Sequence, residues 1–214
     1  MDFPSIVSTI AIYALPVIFA ITLHEAAHGY VARMFGDQTA WMLGRVTLNP
    51  LKHIDPIGTV LVPLSLLLIS KLMGGGGFLF GWAKPVPVNF GNLRHPKRDM
   101  LWVAAAGPAA NFAMAVAWAL VAKLSTSNGI DLMASIGIIT NVVLMVLNLF
   151  PILPLDGGRI AVSLLPHRLA MSYARLEPYG FMLVILLLVT GALNVLMMPF
   201  VNFFLSFFSS LAGG

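Results

Sequence analysis

The sequence predicts an all-α polytopic membrane protein, a bundle of about four to six transmembrane segments, and three observations predict it. Of its 214 residues, 59% are hydrophobic and only 9% are charged, with a mean hydropathy of +0.92. Uncharged stretches long enough to cross a bilayer recur along the chain. The basic residues lie between these stretches, which is typical of loops next to a membrane and argues against binding of nucleic acid.

The first predicted span is one long helix over residues 5–35, which Pro16 should kink and Gly36 should end. The chain begins with Met-Asp-Phe, an acidic start without a small-residue cleavage site after the apolar run, so a cleaved signal peptide is not predicted. Residues 38–50 combine β-forming residues with two turn signals. They predict a small β element, a strand or a hairpin.

Residues 57–73 are apolar and only about long enough to cross a membrane once. Four glycines at 74–77 and the alternating prolines of Lys84-Pro-Val-Pro-Val follow, and neither pattern favours a helix. Such backbone is tolerated at membrane depth only where protein covers it or where it lines a wet cavity. The sequence therefore predicts that 57–73 is spanning or re-entrant and that an extended return leads to residue 90.

The remaining predicted spans are residues 100–122, 134–150 and 179–198, with an interfacial helix, or a continuation of the last span, at 199–210. Nearly all basic residues fall in segments 33–52, 84–98 and 159–175. The positive-inside rule places these segments, and the β element, in the cytoplasm, and places loop 124–133 and the N-terminus outside. Residues 1–214 are thus predicted to form a single multi-pass domain in a cell membrane.

A pair of histidines near the end of the first span is the first indication of a metal site. His24 and His28 are four residues apart, so on a helix their rings share a face and point to one spot. With Glu25 between them they form H-E-x-x-H, in which two imidazoles bind Zn²⁺ and the glutamate is the general base. Ordinary interface histidines are the alternative, but they would leave a costly carboxylate in an apolar segment without a function.

A catalytic zinc takes three protein ligands and keeps one position open. The chain has no cysteine, so the third ligand must be His, Asp or Glu. Asp156 lies three residues before Arg159, much as His28 lies five residues before Arg33, so the two groups should sit at a similar shallow depth. Two alternatives remain open: Asp156 in an ordinary surface turn, and Glu177 as the ligand.

Three motifs, each in its own span, resemble those of the site-2 proteases, the intramembrane zinc metalloproteases of peptidase family M50. They are His24-Glu25-x-x-His28, Gly107-Pro-x-x-Asn111, and Asn148-x-x-Pro151 followed by Leu155-Asp156-Gly157. The stretch Gly-Trp-Ala-Lys-Pro-Val-Pro-Val at 81–88 resembles a minimal bacterial and archaeal branch, without a PDZ or CBS domain. One departure is Leu153, where many relatives have proline.

The resemblance implies a role for each motif. One zinc ion per chain would be bound by three residues, His24, His28 and Asp156. Glu25 would activate the attacking water. The asparagines Asn111 and Asn148 would contact the substrate or the transition state, although asparagines in membrane spans also commonly form hydrogen bonds between helices.

These features predict an intramembrane zinc endopeptidase that cuts in or near the transmembrane segment of a single-span membrane protein, as in regulated intramembrane proteolysis. Its partners would be that substrate and the lipid bilayer, with the active site towards the cytoplasm. A metal or ion transporter is the first rival, but it would usually distribute polar residues through the bundle or show two repeated halves. A catalytically inactive scaffold is the second, and the intact Glu25 argues against it.

Overall fold

The computed structural model describes residues 3–62, 64, 65, 68, 81 and 83–213, and in this part of the chain the protein is a bundle of helices. The helices are α1 (Phe3–Met34), α2 (Thr39–Met42), α3 (Pro96–Leu124), α4 (Asn128–Asn148), α5 (Asp156–Leu164), α6 (His167–Ala174), α7 (Glu177–Val189) and α8 (Ala192–Ala212). Short 3₁₀ turns at Pro50–Lys52 and Phe90–Asn92 and a π-helical turn at Pro56–Leu61 lie in the connection from α2 to α3.

Four of the described helices are long and apolar enough to cross a membrane. They are the part of α1 from Ala11 to Met34, α3, α4 and α8. Helices α6 and α7 are bent by 64° at a short break and would count as a fifth span if taken together. The predicted class, an all-α bundle with several membrane-length helices, is therefore confirmed.

The prediction of a small β element at residues 38–50 is wrong. Residues Thr39–Met42 form the short helix α2, and no strand forms within the described ranges. Asp37 accepts hydrogen bonds from the backbone N–H and the hydroxyl of Thr39, so the chain folds into a turn where propensity favours a strand. The N–H of Arg45 then bonds to the carbonyl of Ala40, and Gly44 takes φ +62°, which closes the turn.

The predicted spanning or re-entrant segment 57–73 and the predicted extended segment 74–90 both lie partly outside the described residues, since 63, 66, 67, 69–80 and 82 are not described. Residues 83–89 are neither helix nor strand.

The structure divides the predicted span 179–198. Helix α7 ends at Val189, Gly191 adopts the left-handed conformation with φ +75°, and α8 begins at Ala192. Glycine adopts this conformation without steric cost, so the break falls there. The residues predicted as an interfacial helix belong to α8, whose Phe208 is fully buried and lies 5.5 Å from the ring of Phe112 in α3.

Helix α3 contacts the elements that carry the predicted site. It packs against α1 and α4, which also contact each other, and against α5. The main apolar core joins α3 and α4 to α7 and α8, around buried residues such as Ala115, Val142 and Val184. Since α1 carries the two histidines and α5 begins at Asp156, their packing on α3 brings residues far apart in the sequence to one place.

Candidate metal centre

Three side chains converge between α1 and the start of α5. The Nε2 atoms of His24 and His28 are 3.1 Å apart, and the Oδ2 atom of Asp156 lies 3.3 Å from the first and 3.4 Å from the second. These side chains are only 10–13% exposed. In the part of the chain that the structure describes, they are the group of His, Asp and Glu residues arranged to hold a metal ion.

The dimensions of this triangle fit zinc. Tetrahedral coordination with bonds of about 2.0–2.1 Å places neighbouring ligand atoms about 3.3 Å apart. Asp156 Oδ2 is buried and has no hydrogen-bond donor, so a cation between it and the imidazoles would satisfy it. Two imidazoles and one carboxylate leave a fourth position open, as catalytic zinc sites do.

Both histidines are held through their other ring nitrogen. His24 Nδ1 lies 2.6 Å from Asn111 Oδ1, and His28 Nδ1 lies 2.7 Å from the carbonyl oxygen of Val103. Both partners can only accept, so each Nδ1 carries the hydrogen and each Nε2 keeps its lone pair for the metal. Helix α3 thus sets the tautomer and the orientation of both rings.

Asn111 is itself held by its neighbours. It is completely buried, and its Nδ2 donates to Asn141 Oδ1 at 2.9 Å and to the carbonyl of Ala20 at 3.3 Å. Asn141, also fully buried, donates to the carbonyl of Gly137. These contacts are the interhelical hydrogen bonds that the sequence allowed as an alternative for Asn111. Its contact with substrate stays a prediction.

Asn148 is partly buried, and its Nδ2 donates to the carbonyl of Leu144 on its own helix at 3.0 Å. Its role towards substrate also stays a prediction.

Gly107 leaves open the space where the two histidine rings meet. A Cβ at this position would lie 2.6 Å from His24 Nε2 and closer still to His28 Nε2. Val103, Gly107 and Asn111 follow at intervals of four, so they share the face of α3 that points to the histidines. Sequence analysis identified Gly107 and Asn111 from a motif. It missed Val103, because a backbone carbonyl carries no sequence signal, and Asn141, because only the packing of α4 against α3 brings its side chain to Asn111.

The loop before Asp156 is fixed by close backbone contacts. A Cβ on Gly158 would lie 2.5 Å from the nitrogen of Leu153, and one on Gly157 or Gly180 would collide with the carbonyls of Leu149 or Leu153. The non-helical loop 149–155 is therefore packed tightly between α5 and α7. This packing places Asp156 as the first residue of α5 and within reach of both histidines.

Two other acidic residues were considered for the site, Glu25 as the general base and Glu177 as the alternative third ligand, and each has a different partner. Glu25 Oε2 accepts a hydrogen bond of 2.7 Å from the backbone N–H of Val86. Glu177 forms an ion pair with Arg159, with 2.9 Å between Oε1 of the glutamate and Nη2 of the arginine. The structure thus brings Asp156, and not Glu177, to the histidines.

A buried His-His-Asp group with an adjacent glutamate, set in a bundle of membrane-length helices, defines the class of membrane-embedded metallohydrolases. Comparison with curated proteins agrees. The chain is 37% identical over 198 residues, covering 88% of the chain and 84% of the relative, to "Putative zinc metalloprotease YwhC" of Bacillus subtilis (strain 168). It is 33% identical over 201 residues, covering 89% of the chain and 71% of the relative, to "Putative zinc metalloprotease Rip2" of Mycolicibacterium smegmatis.

No protein-family model and no solved structure matches the chain. The similarity to these two relatives extends over nearly the whole chain, as the three motifs predicted. The chain belongs to the site-2 protease family.

Proposed function

We propose that this protein is an intramembrane zinc endopeptidase that hydrolyses a peptide bond in or near the transmembrane segment of single-span membrane proteins. The observation that carries the proposal is the convergence of His24, His28 and Asp156 at 3.1–3.4 Å, beside Glu25, in a helical bundle. The names of both relatives support zinc-dependent proteolysis.

In the proposed hydrolysis, Glu25 transfers the proton and the zinc site activates the water and the scissile carbonyl. When bound, zinc would lower the pKa of a water molecule and polarise the carbonyl of the scissile bond. Glu25 takes one proton from the attacking water while the remaining hydroxide adds to the carbonyl carbon. Glu25 then gives that proton to the amide nitrogen as the C–N bond breaks. The products are one new carboxyl terminus and one new amine.

The position of the site in α1 is consistent with access from the cytoplasm. His28 lies six residues before Met34, the last residue of α1, which is about 9 Å along a helix axis. Arg33, in the last turn of α1, stacks over Trp41 at 3.5 Å, as expected for a basic residue at the membrane surface. We propose that the active site opens to this side, where water can reach it.

A substrate helix must unwind before its carbonyls can be attacked, and its freed backbone groups then need partners. We propose that residues of the segment 74–90 pair with the unwound substrate by strand addition, with a simple linker as the alternative. Phe78 and Phe80 of this segment lie outside the described residues. The N–H of Val86 is already bonded to Glu25, so pairing would have to use other positions.

The test is co-expression of wild type and Glu25→Gln with a panel of single-span proteins from the same genome. We expect wild type to cleave at least one panel protein within or next to its span. The amide that replaces the Glu25 carboxylate cannot take the proton, so the variant should be inactive while retaining stoichiometric zinc. Equal cleavage by both forms would remove Glu25 from the mechanism, and failure of wild type to cleave any panel protein would refute the proposed function.

A further inference from the structure

The segment formed by residues 83–89 passes beside Glu25 and is tied down at both ends. The N–H of Lys84 donates to the carbonyl of His53 at 2.9 Å. The N–H of Asn89 donates to Asp37 Oδ2 at 2.7 Å. Arg45 adds a bond from its guanidinium to the carbonyl of Lys84 at 2.8 Å. The segment is therefore held as a fixed element against α1.

Its sequence leaves one backbone donor at the centre. Pro85 and Pro87 have no N–H, so Val86 carries the only amide hydrogen between Lys84 and Val88. That hydrogen is donated to Glu25 Oε2 at 2.7 Å. Proline on both sides also restricts the backbone torsions, so the direction of this N–H is limited before the contact forms.

The side chain of Val86 fixes the position of the segment along α1. Val86 is 7% exposed and packs in an apolar cluster with Ala40 and Val46. A Cβ on Gly29 would lie 3.2 Å from a methyl group of Val86, so glycine permits this close approach. Gly29 is four residues after Glu25, and the two positions share a face of α1. The valine therefore anchors the segment one turn beyond the glutamate that its N–H contacts.

We propose that the Val86 N–H is a positioning group for the general base: it holds Glu25 Oε2 so that Oε1 faces the attacking water. The inference rests on the proposed function. A glutamate side chain has three rotatable bonds, and a hydrogen bond to an ionised acceptor is about twice as strong as one between neutral groups. One such bond from a rigid backbone selects a single carboxylate orientation, and it acts through Glu25 without touching the substrate.

The contact itself is tested without any activity measurement. Residues 83–89 contain five exchangeable amide hydrogens, because the two prolines have none. Hydrogen exchange followed by mass spectrometry is compared in wild type, Glu25→Ala and Glu25→Gln. We expect Glu25→Ala to lose the protection of one amide in this segment, while Glu25→Gln, whose side-chain oxygen still accepts, keeps it. Identical exchange in all three proteins would overturn the contact.

Its effect on catalysis is tested by replacing one amide with an ester. Incorporation of the α-hydroxy analogue of valine at position 86 removes the N–H and keeps the side chain. The probe is a quenched-fluorescent form of a panel protein that wild type cleaves. We expect kcat to fall about 10- to 100-fold, the range for a hydrogen bond to a charged group, with KM and zinc content unchanged. The same ester at Val195 is the matched control: this valine is 74% exposed in α8, its N–H donates to the carbonyl of Gly191, and loss of that bond should leave kcat unchanged.

The possible failures are distinguishable. Zinc-loaded wild type that cleaves no substrate refutes the proposed function, and the exchange measurement still decides whether the contact exists. An ester at position 86 that leaves kcat unchanged overturns the positioning role. A rise in kcat would show that the contact restrains the base, and a rise in KM alone would show that the Val86 N–H binds the substrate and not Glu25. Either result also overturns the inference.

Discussion

The substitution Gly107→Ala tests the geometry of the metal centre with a single added methyl group. That methyl would lie 2.6 Å from His24 Nε2 and closer to His28 Nε2. Non-bonded heavy atoms rest at roughly 3.5 Å, so α3 would have to retreat by about 1 Å. Otherwise the methyl would stay where the ligand atoms meet and would exclude the ion.

Such a movement of α3 would break the hydrogen bonds that orient both histidine rings. The bonds from His24 to Asn111 and from His28 to Val103 both come from α3 and are 2.6 and 2.7 Å long. A shift of about 1 Å would stretch both to or beyond the limit of a hydrogen bond. Loss of one outer-shell partner typically lowers metal affinity 10- to 100-fold. We therefore expect Gly107→Ala to weaken zinc binding at least about 100-fold, close to 3 kcal/mol.

Competition with a fluorescent zinc chelator on purified protein in detergent measures this affinity, and circular dichroism monitors helix content. Gly129→Ala is the matched control for the chemical change, because a Cβ there meets nothing closer than 4.0 Å. A zinc affinity within threefold of wild type in Gly107→Ala would refute the reasoning.

Three further predictions concern the third metal ligand, the charge of Asp37 and the topology in the membrane. Asp156→Ala should lose zinc while Glu177→Ala retains it, and metal analysis showing the reverse would assign the third ligand to Glu177. Burial alone would raise the pKa of Asp37, but hydrogen bonds from Thr39, Asn89 and Asn92 outweigh it, so the pKa of this carboxyl is lowered. Its stabilising contribution should be complete above about pH 4 and be lost as the pH falls further; thermal unfolding of Asp37→Asn should lack this part of the pH dependence, and an unchanged profile would contradict it. In this cysteine-free chain, Arg168→Cys should label only from the cytoplasm and Ser127→Cys only from outside, and the opposite pattern would invert the topology.

Much of the fold could be predicted because the length of an apolar stretch can be read directly from the local sequence. Runs of uncharged residues indicated the helices that became α1, α3 and α4. The predicted β element failed for an equally local reason, since side-chain bonds from Asp37 outweighed the strand propensity of the residues that follow. The break at Gly191 was missed because hydropathy continues through it and only the backbone conformation changes.

The candidate site also combines features that were predictable from local sequence with features that depend on tertiary packing. The spacing of His24 and His28 implies their shared face, because four residues make about one helical turn. Asp156 was predicted from its depth and from family resemblance, but only the packing of α5 against α3 brings it within 3.4 Å of residues more than a hundred positions earlier.

The sequence by itself determined which residues of the candidate site share one face of α1, because H-E-x-x-H is a local pattern on one helix. Only the tertiary structure decided how they are held. The tautomers of both rings depend on Asn111 and on a carbonyl of α3, and Glu25 accepts its hydrogen bond from the N–H of Val86, which lies between two prolines. Hydrogen-bond partners from other segments are selected by packing, and packing is a property of the folded chain and not of any one stretch of it.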